Sequence, residues 1–151
     1  MRVAAVQLNS QEDKQRNVSV ALDLVERAAR QGAELVVLPE YTPYLGRRSG
    51  NEANAEPIPG PTSERFAEVA ARWGIWLLAG SMLERSDQPG RYYNTSLLFD
   101  PSGRQVAKYR KIHLFDIDLG PGSATYHESA TIIPGDEIIT APLAEIGRAH
   151  V

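Results

Sequence analysis

Three charged side chains that lie far apart along the chain are the residues best suited to chemistry: Glu40, Lys111 and Glu128. Glu40 comes two residues after the apolar run Leu35 to Leu38, where a buried strand is expected to end. A carboxylate at the floor of a cleft can act as a general base near neutral pH, and a lysine beside it can stabilise a developing oxyanion. For each of these residues taken alone, a solvated surface charge is the plainer interpretation.

A metal site is the second kind of chemistry that the sequence suggests. His113, Asp116 and Asp118 are spaced as H-x-x-D-x-D, a pattern that can supply metal ligands. The set has no second histidine, and aspartate is common in turn-rich segments for backbone reasons. We therefore expect no metal here. Of the three functions that the sequence suggests, a metal-dependent hydrolase has the least support.

The elements that must position Glu40 form a βαβ unit. Residues 2–8 are rich in β-formers, and Val18, Leu22, Val25 and Ala29 then recur at helical spacing before Gly32. Residues 34–38 predict a second buried strand, parallel to the first. Ligands of such sheets bind beyond the carboxyl ends of the strands, and Glu40 lies at such an end.

The remaining elements are predicted with less detail. Residues 41–61 form a long irregular loop, a helix follows with Thr62 as its N-cap and ends at Gly74, and residues 75–80 form a third strand. Residues 92–109 predict a hairpin around the turn at 100–103, and residues 110–151 show no helical pattern. If Val106 points inward, alternation places Lys108 and Arg110 on its face and Lys111 on the other.

Composition excludes several classes of function. The 151 residues carry a net charge of −3 with no basic stripe, so a nucleic-acid partner is not expected. No apolar run approaches the roughly 20 residues of a membrane span, and the N-terminus turns polar too early for a secretory signal, so we expect a cytoplasmic protein. The absence of cysteine excludes disulfides, thiolate metal sites and a cysteine nucleophile within these residues.

Four segments together resemble the nitrilase, or carbon–nitrogen hydrolase, superfamily: VAAVQLNS, GAELVVLPE, YNTSLLFDPSGRQVAKYRKIHLFD and HESATIIPGDE. The resemblance is greatest to the Nit-type branch, with its omega-amidases and deaminated-glutathione amidases. It implies an α/β fold, the four-layer αββα sandwich. It also implies a cysteine nucleophile with Glu40 as base, Lys111 as stabiliser of the tetrahedral intermediate and Glu128 as a positioning group, without a cofactor.

The resemblance also implies a substrate and an assembly. The substrate would be a small amide that carries a carboxylate, for which Arg47 or Arg48 is a possible partner, although solvated loop arginines are the plainer interpretation. The full-length parent would be a homo-oligomer. The sequence assigns no residue to substrate binding.

The sequence departs from the family pattern near its end. In the family a strand that begins with a pattern such as Gly-Arg-Val-Gly leads to the cysteine, whereas here Ile146-Gly147-Arg148 is followed by Ala149-His150-Val151. We therefore expect residues 1–148 to be the N-terminal part of such a domain, a partial sandwich truncated before the nucleophile turn, and 149–151 to be a foreign tail. Such a fragment would be inactive and would expose apolar strand faces that favour aggregation. The alternative is a complete, non-catalytic α/β binding module that keeps the cleft.

Overall fold

A computed structural model describes residues 1–120, 125–143 and 148–150, the last of these through backbone pairing. Its helices and strands, in chain order, are β1 (Val3–Ala5), α1 (Lys14–Arg30), β2 (Leu35–Val37), α2 (Asn51–Asn54), α3 (Pro61–Trp73), β3 (Trp76–Leu78), β4 (Met82–Arg85), β5 (Tyr92–Phe99), β6 (Gln105–Arg110), β7 (Asp116–Asp118), β8 (Thr125–His127), β9 (Thr140–Pro142) and β10 (Arg148–His150). Single 3₁₀ turns lie at Arg48–Gly50 and Glu128–Ala130.

The predicted βαβ unit is present, with strands shorter than the apolar runs that contain them. β1, β2 and β3 are parallel neighbours, with Val3, Leu35 and Trp76 in register. β5 is antiparallel to β3, β4 and β6, which completes a six-stranded mixed sheet. β7 pairs with β8 and β9 pairs with β10 outside this sheet, and all these pairs are antiparallel.

The main core lies between α1, α3 and one face of the sheet. Val25 of α1 and Phe66 of α3 are fully buried against Val36 and Leu77, which are central sheet residues. The helical spacing of Val18, Ala21 and Val25 follows from this, because only one side of α1 faces the sheet. Among the described residues, no helix is both long enough and apolar enough to cross a membrane.

The start of α3 differs from the prediction that Thr62 is its N-cap. The helix begins at Pro61 and its cap is Gly60, whose N–H donates to the Ser63 hydroxyl at 2.9 Å. Proline at the first helical position has no N–H to satisfy and its fixed φ suits a helix, which explains the earlier start. Thr62 is bonded instead to the carboxylate of Glu56. The predicted end at Gly74 is confirmed, since this residue has φ +61°.

β4 is a strand that the sequence pattern did not indicate. It is short; it pairs with β5, buries Met82 and Leu83 in the core, and also buries the charged residue Glu84. Lys108, Arg110 and the Thr95 hydroxyl all donate to the Glu84 carboxylate. Burial opposes the charge of Glu84, but these donors outweigh it and lower its pKa. Lys108 and Arg110 therefore share a face, as alternation predicted, although Ala107 is more buried than Val106.

The hairpin turn between β5 and β6 lies where the sequence predicted it, and Asp100 closes it. Its carboxylate accepts bonds from the N–H and hydroxyl of Ser102 and from the N–H and Nε of Arg104. The Ser102 hydroxyl bond is the largest of the influences that lower the pKa of Asp100 to about 2, against the opposing effect of burial. Gly103 has φ +80°, and a Cβ there would lie 2.6 Å from the Ala67 carbonyl oxygen, so glycine is required.

We expect Asp100→Asn to lower the melting temperature by roughly 3–6 °C at pH 7, because an amide accepts these bonds less strongly than a carboxylate. The folded-state pKa lies below the unfolded value of 3.8, so the stabilisation is present above pH 4 and is lost as pH falls towards 2. Thermal melting monitored by circular dichroism between pH 2 and 7 measures both effects. Asp87→Asn, at an exposed loop carboxylate, is the control. An equal loss in both variants would contradict this account of the turn.

The second face of the sheet carries the predicted functional residues and is less covered by the described chain. Leu98 and Ala107 are buried there against Ala141 of β9, while Trp76 and Leu78 remain half-buried. The segment after β6 contains one 3₁₀ turn where no helix was predicted. Ile146, Gly147 and Val151, which the predicted truncation point and tail include, lie outside the described residues.

Candidate active site

A tight turn after β2 places Glu40 at the carboxyl end of the parallel strands. The N–H of Tyr41 donates to the Ser81 hydroxyl at 3.0 Å, and the Thr42 hydroxyl donates back to the Pro39 carbonyl at 2.6 Å. Gly80 lies directly beneath, where any Cβ would collide with the Pro39 carbonyl oxygen. The backbone at Glu40 is therefore held by hydrogen bonds within the turn and by the bond from the turn to Ser81, which follows β3.

Lys111 and Glu128 reach the same place from two other segments. Lys111 follows β6, and its N–H donates to the Asn94 carbonyl of β5 at 2.8 Å. Its ammonium nitrogen lies 2.9 Å from Glu40 Oε1 and 3.0 Å from Glu128 Oε2. The structure thus brings all three predicted residues together, although 71 residues separate Glu40 from Lys111.

Charge pairing dominates the electrostatics of Lys111 and Glu128. Burial disfavours the ammonium of Lys111, but the hydrogen bonds and charges of Glu40 and Glu128 outweigh it and raise its pKa. Burial likewise disfavours the carboxylate of Glu128, and the Phe115 N–H, Tyr41, Lys111 and Asn94 together lower its pKa. Both residues are therefore charged at neutral pH.

The two carboxylates differ in exposure and in hydrogen bonding. Glu128 is 11% exposed, and both of its oxygens accept bonds, Oε1 from Tyr41 at 2.7 Å and Oε2 from the Phe115 N–H at 2.7 Å. Glu40 is 54% exposed, which is more than the sequence analysis anticipated for a residue at a cleft floor. Its Oε1 accepts from Lys111 and Asn94, and its Oε2 has no donor among the described residues.

Two residues at the centre of the site make contacts that were not predicted from the sequence, although Tyr41 was expected to lie beside Glu40. Asn94 is 2% exposed, and its amide nitrogen donates to Glu40 at 2.8 Å and to Glu128 at 3.2 Å. Its Oδ1 is buried and has no partner within the described part of the chain. Tyr41 supplies the hydroxyl bonded to Glu128. The only sequence signal for either residue was its position, next to Glu40 or within the β5 strand.

The three charges border a cavity of about 390 Å³. Its wall combines the charged residues with aromatic and aliphatic side chains, chiefly Tyr41, Tyr44, Leu83, Phe115, Tyr126 and Ile132. Glu40 and Lys111 also border a second hollow of about 320 Å³, on the side of Leu78, Ser96 and Tyr109. A cavity of the first size accommodates a small organic molecule, and its wall combines the three charges and Arg48 with apolar side chains.

The two arginines that the sequence proposed as carboxylate partners separate in the structure. Arg47 is 88% exposed and lies 3.8 Å from Glu12, outside the cavity wall. Arg48 borders the cavity, and its guanidinium donates to the His127 carbonyl at 2.5 Å. Arg48 therefore connects the 41–61 loop to β8 across the cavity.

The two aspartates of the metal hypothesis make local hydrogen bonds. Asp116 accepts from the Ser129 N–H at 3.0 Å, and Asp118 accepts from the Gly120 N–H at 2.9 Å. No group of three or more histidine, cysteine or acidic side chains within residues 1–120, 125–143 and 148–150 is arranged to hold a metal ion. Such loop bonds are a common use of aspartate in turn-rich segments.

The whole length of the chain, and not only this cluster, matches a known protein family. The family model for carbon–nitrogen hydrolases matches residues 2–151, and the chain belongs to that family. Its α/β architecture is that of a nitrilase-superfamily structure, of which it covers about half.

Particular relatives narrow the resemblance to amidases. The chain is 43% identical to the omega-amidase NIT2 of Homo sapiens over 97% of its own length and 52% of that protein. It is 31% identical to Nit3 of Saccharomyces cerevisiae, a member of branch 10 of the nitrilase superfamily, with a TM-score of 0.79 over 97% of this chain and 52% of that one. For the NitN amidase of Nesterenkonia sp. AN1 the identity is 28% and the TM-score 0.76, over 95% and 53% of the two chains. The chain thus spans about half the length of the relatives it matches.

Proposed function

We propose that this chain supplies the base, the cation and the substrate pocket of an amidase that hydrolyses small, carboxylate-bearing amides through a cysteine thioester. The observation that carries the proposal is the meeting of Glu40, Lys111 and Glu128 at one end of a cavity. The similarity to omega-amidases, of which the chain matches about half the length, supports the choice of substrate class.

Hydrogen bonding distinguishes the roles of the two carboxylates. Both oxygens of Glu128 are engaged by neighbouring donors, which suits a group that holds Lys111 in place. Glu40 keeps Oε2 free of donors among the described residues and is open to solvent, which suits a group that must receive and return a proton. We therefore assign Glu40 as the base and Glu128 as a positioning residue.

Lys111 suits the role of oxyanion stabiliser. Its ammonium has three N–H donors, and two of them face Glu40 and Glu128. The third is available to an oxygen that becomes negatively charged during the reaction. Such a preorganised donor stabilises the transition state more than the ground state.

The nucleophile would come from outside these residues, since the 151 residues contain no cysteine. A thiol beside Glu40 would give its proton to that carboxylate, and the thiolate would attack the amide carbon to form a tetrahedral intermediate next to Lys111. Collapse would break the C–N bond, and the amine would leave with the proton from Glu40. Water, deprotonated by Glu40, would then cleave the thioester. By itself this chain would lack hydrolytic activity.

Arg48 supports the expectation of a carboxylate on the substrate. Lys111 already faces two carboxylates, so a further anion needs another cation, and Arg48 is a cationic side chain of the cavity wall apart from Lys111. One of its N–H groups donates to the His127 carbonyl, which leaves the others for a ligand. Arg48 rather than Arg47 is therefore the proposed partner.

We expect Arg48→Gln to raise the KM for succinamate about tenfold, the effect of losing one charge-assisted hydrogen bond of about 1.4 kcal/mol. The KM for butyramide, which has no carboxylate, should stay within twofold. Steady-state kinetics of the full-length protein, translated from the complete reading frame, measure both. Arg47→Gln is the matched control, because that side chain points away from the cavity. Equal losses for the two amides would remove Arg48 from substrate recognition.

The proposed function is tested by following ammonia release from succinamate with the full-length protein. Hydrolysis should occur, alkylation with iodoacetamide should abolish it, and saturating substrate should protect against alkylation. Hydrolysis that is unaffected by complete thiol alkylation would exclude the cysteine mechanism.

A further inference from the structure

Tyr41 has a backbone conformation that side chains rarely adopt. Its φ of 53° is the one positive value at a non-glycine residue within the described part of the chain. For an L-residue this conformation costs roughly 1–2 kcal/mol unless the surroundings hold it. The structure must therefore supply contacts that hold Tyr41 in this conformation next to the proposed base.

The surroundings hold this conformation from the β3 side of the sheet. The Ser81 hydroxyl accepts the Tyr41 N–H, and the Ser81 carbonyl accepts the Thr42 N–H at 3.1 Å. Gly80 allows the turn to lie directly on the sheet. The turn is thus clamped at both sides of Tyr41, and its side chain has a fixed origin.

The phenol of Tyr41 ends at Glu128, 87 residues away in sequence. Its hydroxyl donates to Glu128 Oε1 at 2.7 Å, and its ring packs beside Tyr44, Leu83 and Ile132. Burial, followed by the bond to Glu128, raises the pKa of Tyr41 above its ordinary value, so the hydroxyl remains a donor at neutral pH. Tyr41 therefore follows the proposed base, Glu40, in the chain and also holds the second carboxylate, Glu128, through its hydroxyl.

We propose that Tyr41 is a positioning residue that fixes the distance between Glu40 and Glu128, so that both carboxylates engage Lys111 at once. The inference rests on the proposed function for its catalytic meaning, but not for its geometry. Glu128 is also faced by the charges of Lys111 and Glu40, the neutral amide of Asn94 and the Phe115 N–H. Among the groups that face Glu128, Tyr41 contributes the hydroxyl donor, and removing its oxygen leaves the other groups intact.

The test is the pKa of the Glu128 carboxyl in the full-length protein, measured by carbon-detected NMR titration. In Tyr41→Phe we expect this pKa to rise by about one unit, a tenfold change in proton affinity, because a donor to the carboxylate is lost. Tyr44→Phe is the matched control: it lies in the same cavity wall, but its hydroxyl donates to the Arg47 carbonyl rather than to a carboxylate. In this control the pKa of Glu128 should not move.

A reciprocal variant keeps the test decisive if Tyr41→Phe does not fold. In Glu128→Gln, the pKa of the Tyr41 phenol, followed through the Cζ resonance of this residue by NMR, should fall, because the charge and acceptor that raise it are replaced by a neutral amide. An unchanged pKa of Glu128 in folded Tyr41→Phe, an equal rise in both tyrosine variants, or an unmoved phenol in Glu128→Gln would overturn the proposal.

The outcome is separable from that of the proposed function. If the pKa of Glu128 rises in Tyr41→Phe while the full-length protein hydrolyses no amide, the positioning of Glu128 stands and the amidase assignment fails. If amide hydrolysis is found and the pKa of Glu128 does not change, the assignment of Tyr41 fails alone. In an active full-length protein, Tyr41→Phe should lower kcat with little change in KM.

Discussion

Replacing Glu40 by Gln should lower kcat/KM of the full-length protein for succinamate by roughly 10³-fold, the middle of the range for loss of a general base. Glutamine has nearly the same shape as glutamate, and its amide oxygen can accept the bonds that Lys111 and Asn94 donate to Glu40 Oε1. What the variant lacks is an oxygen that can take a proton from a thiol or from water. Most of the loss should appear in kcat, because binding at the far end of the cavity is unchanged.

The measurement for Glu40→Gln is the rate of acylation under single-turnover conditions, together with the melting temperature. The rate should fall while the melting temperature stays within a few degrees of the wild type, since Glu40 is more than half exposed. Glu12→Gln, at an exposed carboxylate in a neighbouring loop, should change neither quantity. A Glu40→Gln protein that acylates at the wild-type rate would show that the base is another group.

Replacing Lys111 by Met should have the second large effect, on activity and on the charge balance of the site. Loss of an oxyanion donor typically costs 10²–10³ in rate, or about 3–4 kcal/mol. Without the ammonium, Glu40 and Glu128 face each other with only the Asn94 amide between them. The pKa of Glu128 should therefore rise, because this carboxylate loses its cationic partner while the negative charge of Glu40 remains nearby.

Lys108→Met is the matched control for Lys111→Met. Lys108 lies three residues earlier, on the opposite face of β6, and pairs with buried Glu84. Its loss should lower stability without changing the pKa of Glu128 or the acylation rate beyond the effect of unfolding. An unchanged pKa of Glu128 in Lys111→Met would contradict the ion pair, whatever happened to the rate.

Local sequence patterns were sufficient for the elements that place Glu40. The periodicity of α1 and the apolar runs of β1 and β2 are properties of neighbouring residues, and the rule for parallel sheets then located Glu40 at a strand end. Alternation along β6 likewise separated Lys111 from Lys108 and Arg110. The strand bounds were overextended, because apolar runs continue beyond the residues that pair.

Long-range contacts account for what the sequence did not indicate. Glu84 reads as a surface charge in a short segment, and its burial depends on partners more than ten residues away. Asn94 is an unremarkable strand residue until Glu40 and Glu128 approach it from two sides. Tyr41 needs Ser81 to hold its backbone and Glu128 to bind its hydroxyl. None of these partners can be identified from spacing along the chain.

Intact-mass spectrometry of the full-length protein, rapidly quenched in acid during turnover of succinamate, tests the central claim most directly. We predict a succinyl adduct on a cysteine that lies beyond residue 148, identified by peptide mapping, with the adduct lost in Glu40→Gln and in Lys111→Met. A complete reading frame without a cysteine, or hydrolysis that proceeds at the wild-type rate after every cysteine is replaced by alanine, would contradict the account.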